Sequence, residues 1–166
     1  YQKGSLVLHM LRWVLGEDLW WKSMKHYVTK HQRQVVETTD LKVAIEEATG
    51  IHLDWFFNQW VHRGGHPEFE LSWEWDEAAK VLQLNVQQTQ NTAGETPVFR
   101  TPVDVFVQTP KSKVTHRVNL EQAEHHFYFS CEERPQMVLF DPDFVILKTS
   151  KFVKPKEEVL FQLEHA

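Results

Sequence analysis

The spacing of apolar residues changes once along this 166-residue chain, at Gly64-Gly65, and this change limits the fold more than any other feature. Before it, apolar residues recur at every third or fourth position, which predicts amphipathic helices. After Pro67 they recur at every second position, as in residues 69–75, which predicts strands with one buried face. The sequence therefore predicts an α+β protein whose helices precede its strands.

Four helices are predicted before the change in spacing. The first covers residues 4–15 and is followed by a glycine, which commonly ends a helix. The second begins at Glu17, and the third follows a cap within residues 38–40. The fourth carries apolar residues at helical spacing over 53–61. Together they predict a helical subdomain over residues 1–65.

Strand spacing recurs seven times after Pro67, at residues 69–75, 82–86, 103–107, 114–120, 127–129, 137–140 and 144–147. Because turn residues separate these stretches, they predict an antiparallel β-sandwich of about seven strands over residues 66–153. Helical spacing returns after Pro155, so residues 154–166 are predicted to begin a further helical domain.

Composition excludes several classes of partner. The net charge is −5 and no dense run of lysine and arginine occurs, which argues against nucleic acid. No apolar run approaches the roughly 20 residues that span a bilayer. The single cysteine, Cys131, rules out an intrachain disulfide, supplies no metal cluster and slightly favours a soluble, cytoplasmic protein, although the compartment stays open. Both ends interrupt a pattern, so we expect a piece of a longer protein.

The first helix carries the main candidate site. Tyr1, Ser5, His9 and Arg12 are spaced so that they share one helix face. The remaining positions from 6 to 15 are nearly all apolar, which predicts a helix buried around most of its circumference. The polar stripe would then face a cleft, or it would be an ordinary solvated face.

Other candidate sites are weak. His62 and His66 have the spacing of metal ligands on a helix, but two glycines between them favour a loop. His125 and His126 are adjacent on a predicted strand and would point to opposite faces. No His-Glu-x-x-His motif and no phosphate-binding glycine loop occur. We therefore predict no metal ligand and no cofactor-binding residue in this chain.

The tryptophans are predicted to pack in the interior. Trp73 and Trp75 could stack on a sugar, but they alternate in phase with apolar neighbours, which favours burial. Interhelical packing is predicted for Trp20, Trp21, Trp55 and Trp60.

Residues 1–12, YQKGSLVLHMLR, resemble the Tyr-x-Lys-Gly and Met-Leu-Arg segment of the M1 family of zinc aminopeptidases. The similarity continues through Thr39-Asp40-Leu41 and residues 46–50. It then includes residues 53–60, LDWFFNQW, and the turn Gly65-His66-Pro67. This resemblance covers about the first 70 residues, whereas the sandwich is supported only by its position and strand pattern.

The resemblance implies a function. In that family a thermolysin-like domain binds zinc through His-Glu-x-x-His and a later glutamate, none of which has a counterpart here. Zinc is therefore expected in the whole protein and not in this chain. The family's tyrosine donates a hydrogen bond to the oxyanion of the tetrahedral intermediate, and Tyr1 matches it, so Tyr1 is the predicted catalytic residue.

The implied protein is a zinc-dependent aminopeptidase that removes N-terminal residues from peptides. This chain would be the C-terminal helices of its catalytic domain and the following sandwich, inactive by itself. Its partners would be a peptide substrate, the remainder of the catalytic domain and a C-terminal helical domain.

Two other interpretations remain open. Some relatives of the family are non-catalytic scaffolds, including a large subunit of a transcription initiation complex. An independent ligand-binding sandwich would need an exposed aromatic strip. The preferred N-terminal residue of a substrate and the oligomeric state cannot be read from these residues.

Overall fold

The computed structural model describes residues 1–165, and the chain forms two compact units, one from Tyr1 to Gly64 and one from Gly65 onward. The first unit contains the helices α1 (Gln2–Leu15), α2 (Glu17–Lys30), α3 (Thr38–Thr49) and α4 (Asp54–Trp60). Apolar residues at helical spacing supply its core, with Ile45 and Leu53 fully buried beside the aromatic side chains of α4. The predicted set of four helices is confirmed.

The third helix begins with a reciprocal cap that differs slightly from the predicted one. Glu37 is the N-cap residue, and its backbone N–H donates to Asp40 Oδ2 over 2.8 Å. The Glu37 side chain accepts in turn from the backbone of Asp40, which completes a capping box. At the other end Gly50 adopts a left-handed conformation with φ of 75°, which a glycine accommodates without steric cost.

The prediction that α1 is buried around most of its circumference is wrong for the described part of the chain. Its buried residues are Val7, Met10, Leu11 and Leu15. Leu6 and Leu8, by contrast, are 40% and 41% exposed. Apolar residues all around a helix allow burial on every side. How many of those side chains are buried depends on which neighbouring elements pack against the helix.

Trp21 also departs from the prediction of interhelical packing. It is 58% exposed, whereas Trp20 and Trp60 are buried as predicted. The indole lies under the Arg12 guanidinium, 5.4 Å from the ring centroid, and its Nε1–H donates to Glu17. The exposed indole is therefore stabilised by a cation–π contact with the guanidinium and by a hydrogen bond, without being buried between helices.

The second unit contains the strands β1 (Glu68–Asp76), β2 (Val81–Gln88), β3 (Thr101–Gln108), β4 (Lys113–Leu120), β5 (Glu124–Ser130), β6 (Met137–Phe140) and β7 (Thr149–Val153). They form a sheet in the order β5-β2-β1-β7 and a second sheet in the order β4-β3-β6. All strand pairs are antiparallel except β1 and β7, which are parallel. The predicted α+β fold with a seven-stranded sandwich is confirmed among residues 1–165.

Alternation along the strands builds the sandwich core. Every second residue of β3 is fully buried, and Leu71 of β1 lies opposite Val86 of β2 with both side chains inward. Trp73 is buried as predicted, while Trp75 near the strand end is only half-buried. The period of two therefore corresponds to one face packed against the other sheet.

The strand predicted at residues 144–147 is wrong. The chain turns there, and Asp141 holds the turn with a φ of 52°. Its buried carboxylate accepts from the backbone N–H groups of Val145 at 2.9 Å and Ile146 at 3.0 Å, and it pairs with Lys148. Because the Asp141 carboxylate accepts from these two backbone N–H groups, they need no partner on a neighbouring strand. The seventh strand of the unit is β7 instead.

A last helix, α5 (Lys156–His165), follows β7 and belongs to the same unit as the strands. Its Glu158 is buried, with side-chain exposure of 1%. The carboxylate accepts from Trp73 Nε1 at 2.7 Å, from the Val138 backbone at 2.9 Å and from Lys154 at 2.7 Å. This carboxylate therefore fixes the start of α5 to β1 and β6.

His125 makes the turn between β4 and β5 sensitive to pH. Its Nε2 accepts from the backbone N–H groups of Glu121 and Gln122, each at 2.9 Å, which requires an unprotonated nitrogen. Burial lowers the pKa of His125 below its ordinary value. The stabilising contribution is thus present above the unfolded pKa of about 6.5 and is lost as the pH falls through the folded pKa.

We therefore expect the urea midpoint of the wild-type chain to fall between pH 7.5 and pH 5, and His125→Gln to reduce that fall. His126→Gln is the matched control, because its ring lies on the opposite, exposed face. An equal pH dependence in wild type and His125→Gln would contradict this assignment.

Candidate functional site

Tyr1 lies at the head of α1, where it is the N-cap residue. Its carbonyl oxygen accepts from the Ser5 backbone at 3.0 Å, which joins it to the first helical turn. Its side chain is fully exposed, and within residues 1–165 the phenol makes no hydrogen bond. No hydrogen bond from the described residues therefore engages the hydroxyl.

Lys3 anchors the same end of the helix. Its ammonium group donates to the carbonyl oxygen of Arg63, 3.3 Å away, just beyond the end of α4. The two residues are 60 positions apart, so no periodicity could have indicated the contact. Lys3 therefore helps to fix the position from which Tyr1 projects.

The predicted polar stripe does not converge on one site. Arg12 forms a two-pronged ion pair with Glu17, with both nitrogen–oxygen distances at 2.7 Å. The hydrogen bonds of this pair hold the pKa of Glu17 below and the pKa of Arg12 above their ordinary values. Ser5 donates to the Gln2 carbonyl at 2.9 Å, and His9 is exposed. Arg12 is thus engaged in joining α1 to α2, and Tyr1 is the stripe residue best placed for a ligand.

An apolar groove of about 510 Å³ runs beside the first turns of α1. It is lined by Leu8 of α1, Leu41 of α3 and the aromatic residues Phe56 and Trp60 of α4, with Lys3 at its edge. Tyr1 does not line this groove. The groove can take apolar groups, and Lys3, Tyr27 and Glu37 are the titratable residues on its lining.

The described residues do not fit a zinc site. Across positions 1–165, no group of three or more histidine, cysteine, aspartate or glutamate side chains is placed to hold a metal ion. His62 and His66 lie in the irregular segment after α4, as their intervening glycines predict. In the same part of the chain no helix has the length and apolar character needed to cross a membrane.

Comparison with known families bears directly on the first unit. Residues 1–60 match the Peptidase family M1 domain. The resemblance to the M1 family is confirmed. The match covers all four helices of the first unit, including Tyr1 and the aromatic residues of α4.

Two relatives extend the similarity beyond that domain. The puromycin-sensitive aminopeptidase of Caenorhabditis elegans is 26% identical over 130 residues, covering 76% of this chain and 14% of that protein. The Transcription initiation factor TFIID subunit 2 of the same organism is 20% identical over 146 residues, covering 80% of this chain and 13% of that protein. This chain therefore spans about one seventh of the length of these relatives.

The fold is also similar to a solved structure. The crystal structure of Legionella pneumophila aminopeptidase A in complex with aspartic acid matches with a TM-score of 0.80 and 17% identity. The match covers 96% of this chain and 18% of that one. At this identity the similarity concerns the fold, and it includes both helices and strands.

Proposed function

We propose that this chain supplies the oxyanion donor of an M1-type aminopeptidase, an enzyme that removes N-terminal residues from peptides. The observation that carries the proposal is the position of Tyr1 at the head of a helix that matches the M1 domain. The aminopeptidases among the proteins similar in sequence support the same reaction class.

The chemistry of a phenol suits this role. A tyrosine hydroxyl is neutral near pH 7, so it can donate a hydrogen bond to the negative oxygen that develops as a peptide carbonyl is attacked. The donor must already be in position for the bond to favour the transition state over the ground state. The N-cap position of Tyr1 and the hydrogen bond from Lys3 to Arg63 fix the backbone from which the phenol projects, which supports the proposal.

Zinc belongs to the proposed whole protein and is not assigned to these residues. Because the side chains at positions 1–165 do not fit a zinc site, we derive no step through the metal from this chain. We propose that the ligands lie in another part of the whole protein, together with the groups that anchor the substrate.

The chain alone is accordingly expected to hydrolyse no aminoacyl 4-nitroanilide, with or without added zinc chloride. Release of nitroaniline is followed by absorbance, and a zinc aminopeptidase at the same concentration is the positive control. Hydrolysis by the purified chain that a chelator abolishes would contradict the proposal that the zinc ligands lie in another part of the whole protein.

A scaffold is the second candidate function. It is supported by the transcription initiation factor subunit, which is 20% identical over 80% of this chain. Peptide mapping of the intact protein by mass spectrometry separates the two candidates. A His-Glu-x-x-His motif with a later glutamate supports the aminopeptidase, whereas the corresponding segment without these ligands supports the scaffold.

A further inference from the structure

The first turn of α1 has little support from its own residues. Among the described side chains, none caps the helix with a hydrogen bond, and no residue of the first turn is acidic. Gly4 lies in this turn, and glycine is the weakest helix former after proline. A Cβ added to Gly4 would meet no described heavy atom within 4 Å, so close packing does not hold the turn there either. The turn that carries Tyr1 therefore needs an outside contact to stay in one place.

The end of α4, by contrast, is firmly held. The Trp60 side chain is only 1% exposed in the core of the first unit. The backbone N–H groups of Val61 and His62 both donate to the Phe57 carbonyl, at 3.0 and 3.1 Å. Arg63 follows directly, so its carbonyl oxygen is attached to a well-fixed part of the unit.

Lys3 joins the weak turn to this fixed end. Its Nζ donates to the carbonyl oxygen of Arg63 over 3.3 Å. Lys3 also lines the apolar groove together with Val61, which puts it beside the same end of α4. The Tyr1 carbonyl accepts from the Ser5 backbone in the same turn, so a displacement of the turn would move Tyr1 as well.

We infer that Lys3 is a positioning residue for the proposed reaction, because it holds the first turn of α1, and with it Tyr1, against the end of α4. The inference rests on the proposed function, in which Tyr1 is the oxyanion donor. In this role Lys3 does not contact the substrate. A donor is effective only where the charge develops, and a misplacement of about 1 Å can lower a rate by about 10²-fold.

The first test measures the turn itself in the 166-residue chain. The Ser5 amide reports on it, because that N–H donates to the Tyr1 carbonyl. Lys3→Met keeps an apolar stem and removes the donor, so we expect the Ser5 amide hydrogen to exchange about fivefold faster. Lys3→Arg retains a donor and should exchange like the wild type. Lys22→Met, the same change at an exposed position of α2, is the matched control and should also exchange like the wild type.

The second test is kinetic and uses a zinc-loaded aminopeptidase that contains this chain. We expect Lys3→Met to lower kcat by about tenfold and to leave KM nearly unchanged, because the misplaced donor acts on the transition state. Lys3→Arg should restore most of kcat, and Lys22→Met should keep the wild-type values.

The decisive comparison adds Lys3→Met to Tyr1→Phe. Once the hydroxyl is absent its position no longer matters, so the second substitution should cause no further loss of kcat. A merely structural role for Lys3 gives a different result, since a general loss of structure would lower kcat again in the Tyr1→Phe enzyme. Additive losses would therefore overturn the inference.

Two further results would overturn it. One is an unchanged Ser5 exchange rate in Lys3→Met. The other is an unchanged kcat in Lys3→Met beside a reduced kcat in Tyr1→Phe, which would leave the proposed function standing. A Tyr1→Phe enzyme that retains kcat would overturn the proposed function and this role of Lys3 together, whereas the Ser5 exchange rate would still show whether Lys3 holds the turn.

Discussion

Tyr1→Phe is expected to lower kcat by a factor of about 10²–10³ in a zinc-loaded aminopeptidase that contains this chain. The substitution removes one hydroxyl and keeps the ring. Because the donor acts on charge that develops in the transition state, KM should change little. Because the ring is kept and only the hydroxyl is removed, neither the fold nor the zinc content should change. Steady-state kinetics and metal analysis of the purified variant measure these quantities.

Tyr128→Phe is the matched control, since it removes the same hydroxyl from an exposed residue of β5. We expect it to retain wild-type kcat and KM. A Tyr1→Phe enzyme with near wild-type kcat would exclude Tyr1 as the oxyanion donor and would assign that hydrogen bond to another group of the enzyme.

Glu158→Leu should lower the free energy of unfolding of the second unit by about 3–5 kcal/mol, the usual cost of removing one partner from a buried ion pair. The change leaves the Lys154 ammonium partly buried without its carboxylate. It also leaves Trp73 Nε1–H and the Val138 N–H without the acceptor that they share. Urea unfolding followed by tryptophan fluorescence and circular dichroism measures the loss.

Glu157→Leu is the control for this prediction. It lies next to Glu158 on α5 but is exposed, so the expected change is within about 0.5 kcal/mol. Adding Lys154→Met to Glu158→Leu should recover part of the stability, because both charges are then absent. A loss below about 1 kcal/mol in Glu158→Leu would mean that water replaces the carboxylate.

Local patterns predicted most of the elements. Four helices and six of the strands were found at their predicted places, because helix and strand periods depend on neighbouring residues. The strand predicted at residues 144–147 does not form, for a specific reason. Its backbone donors bind the carboxylate of Asp141 instead of a neighbouring strand, and Val145 and Ile146 are both buried without alternating.

The candidate site was predictable only in part. Tyr1 was identified through a resemblance, and its catalytic role stays a prediction. Lys3 was part of the quoted segment, but its contact with Arg63 depends on how α1 and α4 meet. Glu158 and Trp73 are 85 residues apart, and neither pattern nor charge indicated that they meet.

The sequence alone determined that helices precede strands, which faces of those elements are apolar, and the resemblance of the first 70 residues to the M1 family. These properties are local, since they follow from residue type and short spacing. The tertiary structure decided which polar groups already have partners. It engages Arg12 with Glu17, buries Asp141 and Glu158 among donors, and leaves one oxygen of Glu133 unpaired. The partners of Glu158 are 85 and 20 residues away and meet it only when the chain has folded. Arg12 and Asp141 pair with groups four or five residues away, so there the local backbone conformation decides whether the atoms come within the roughly 3 Å that a hydrogen bond needs.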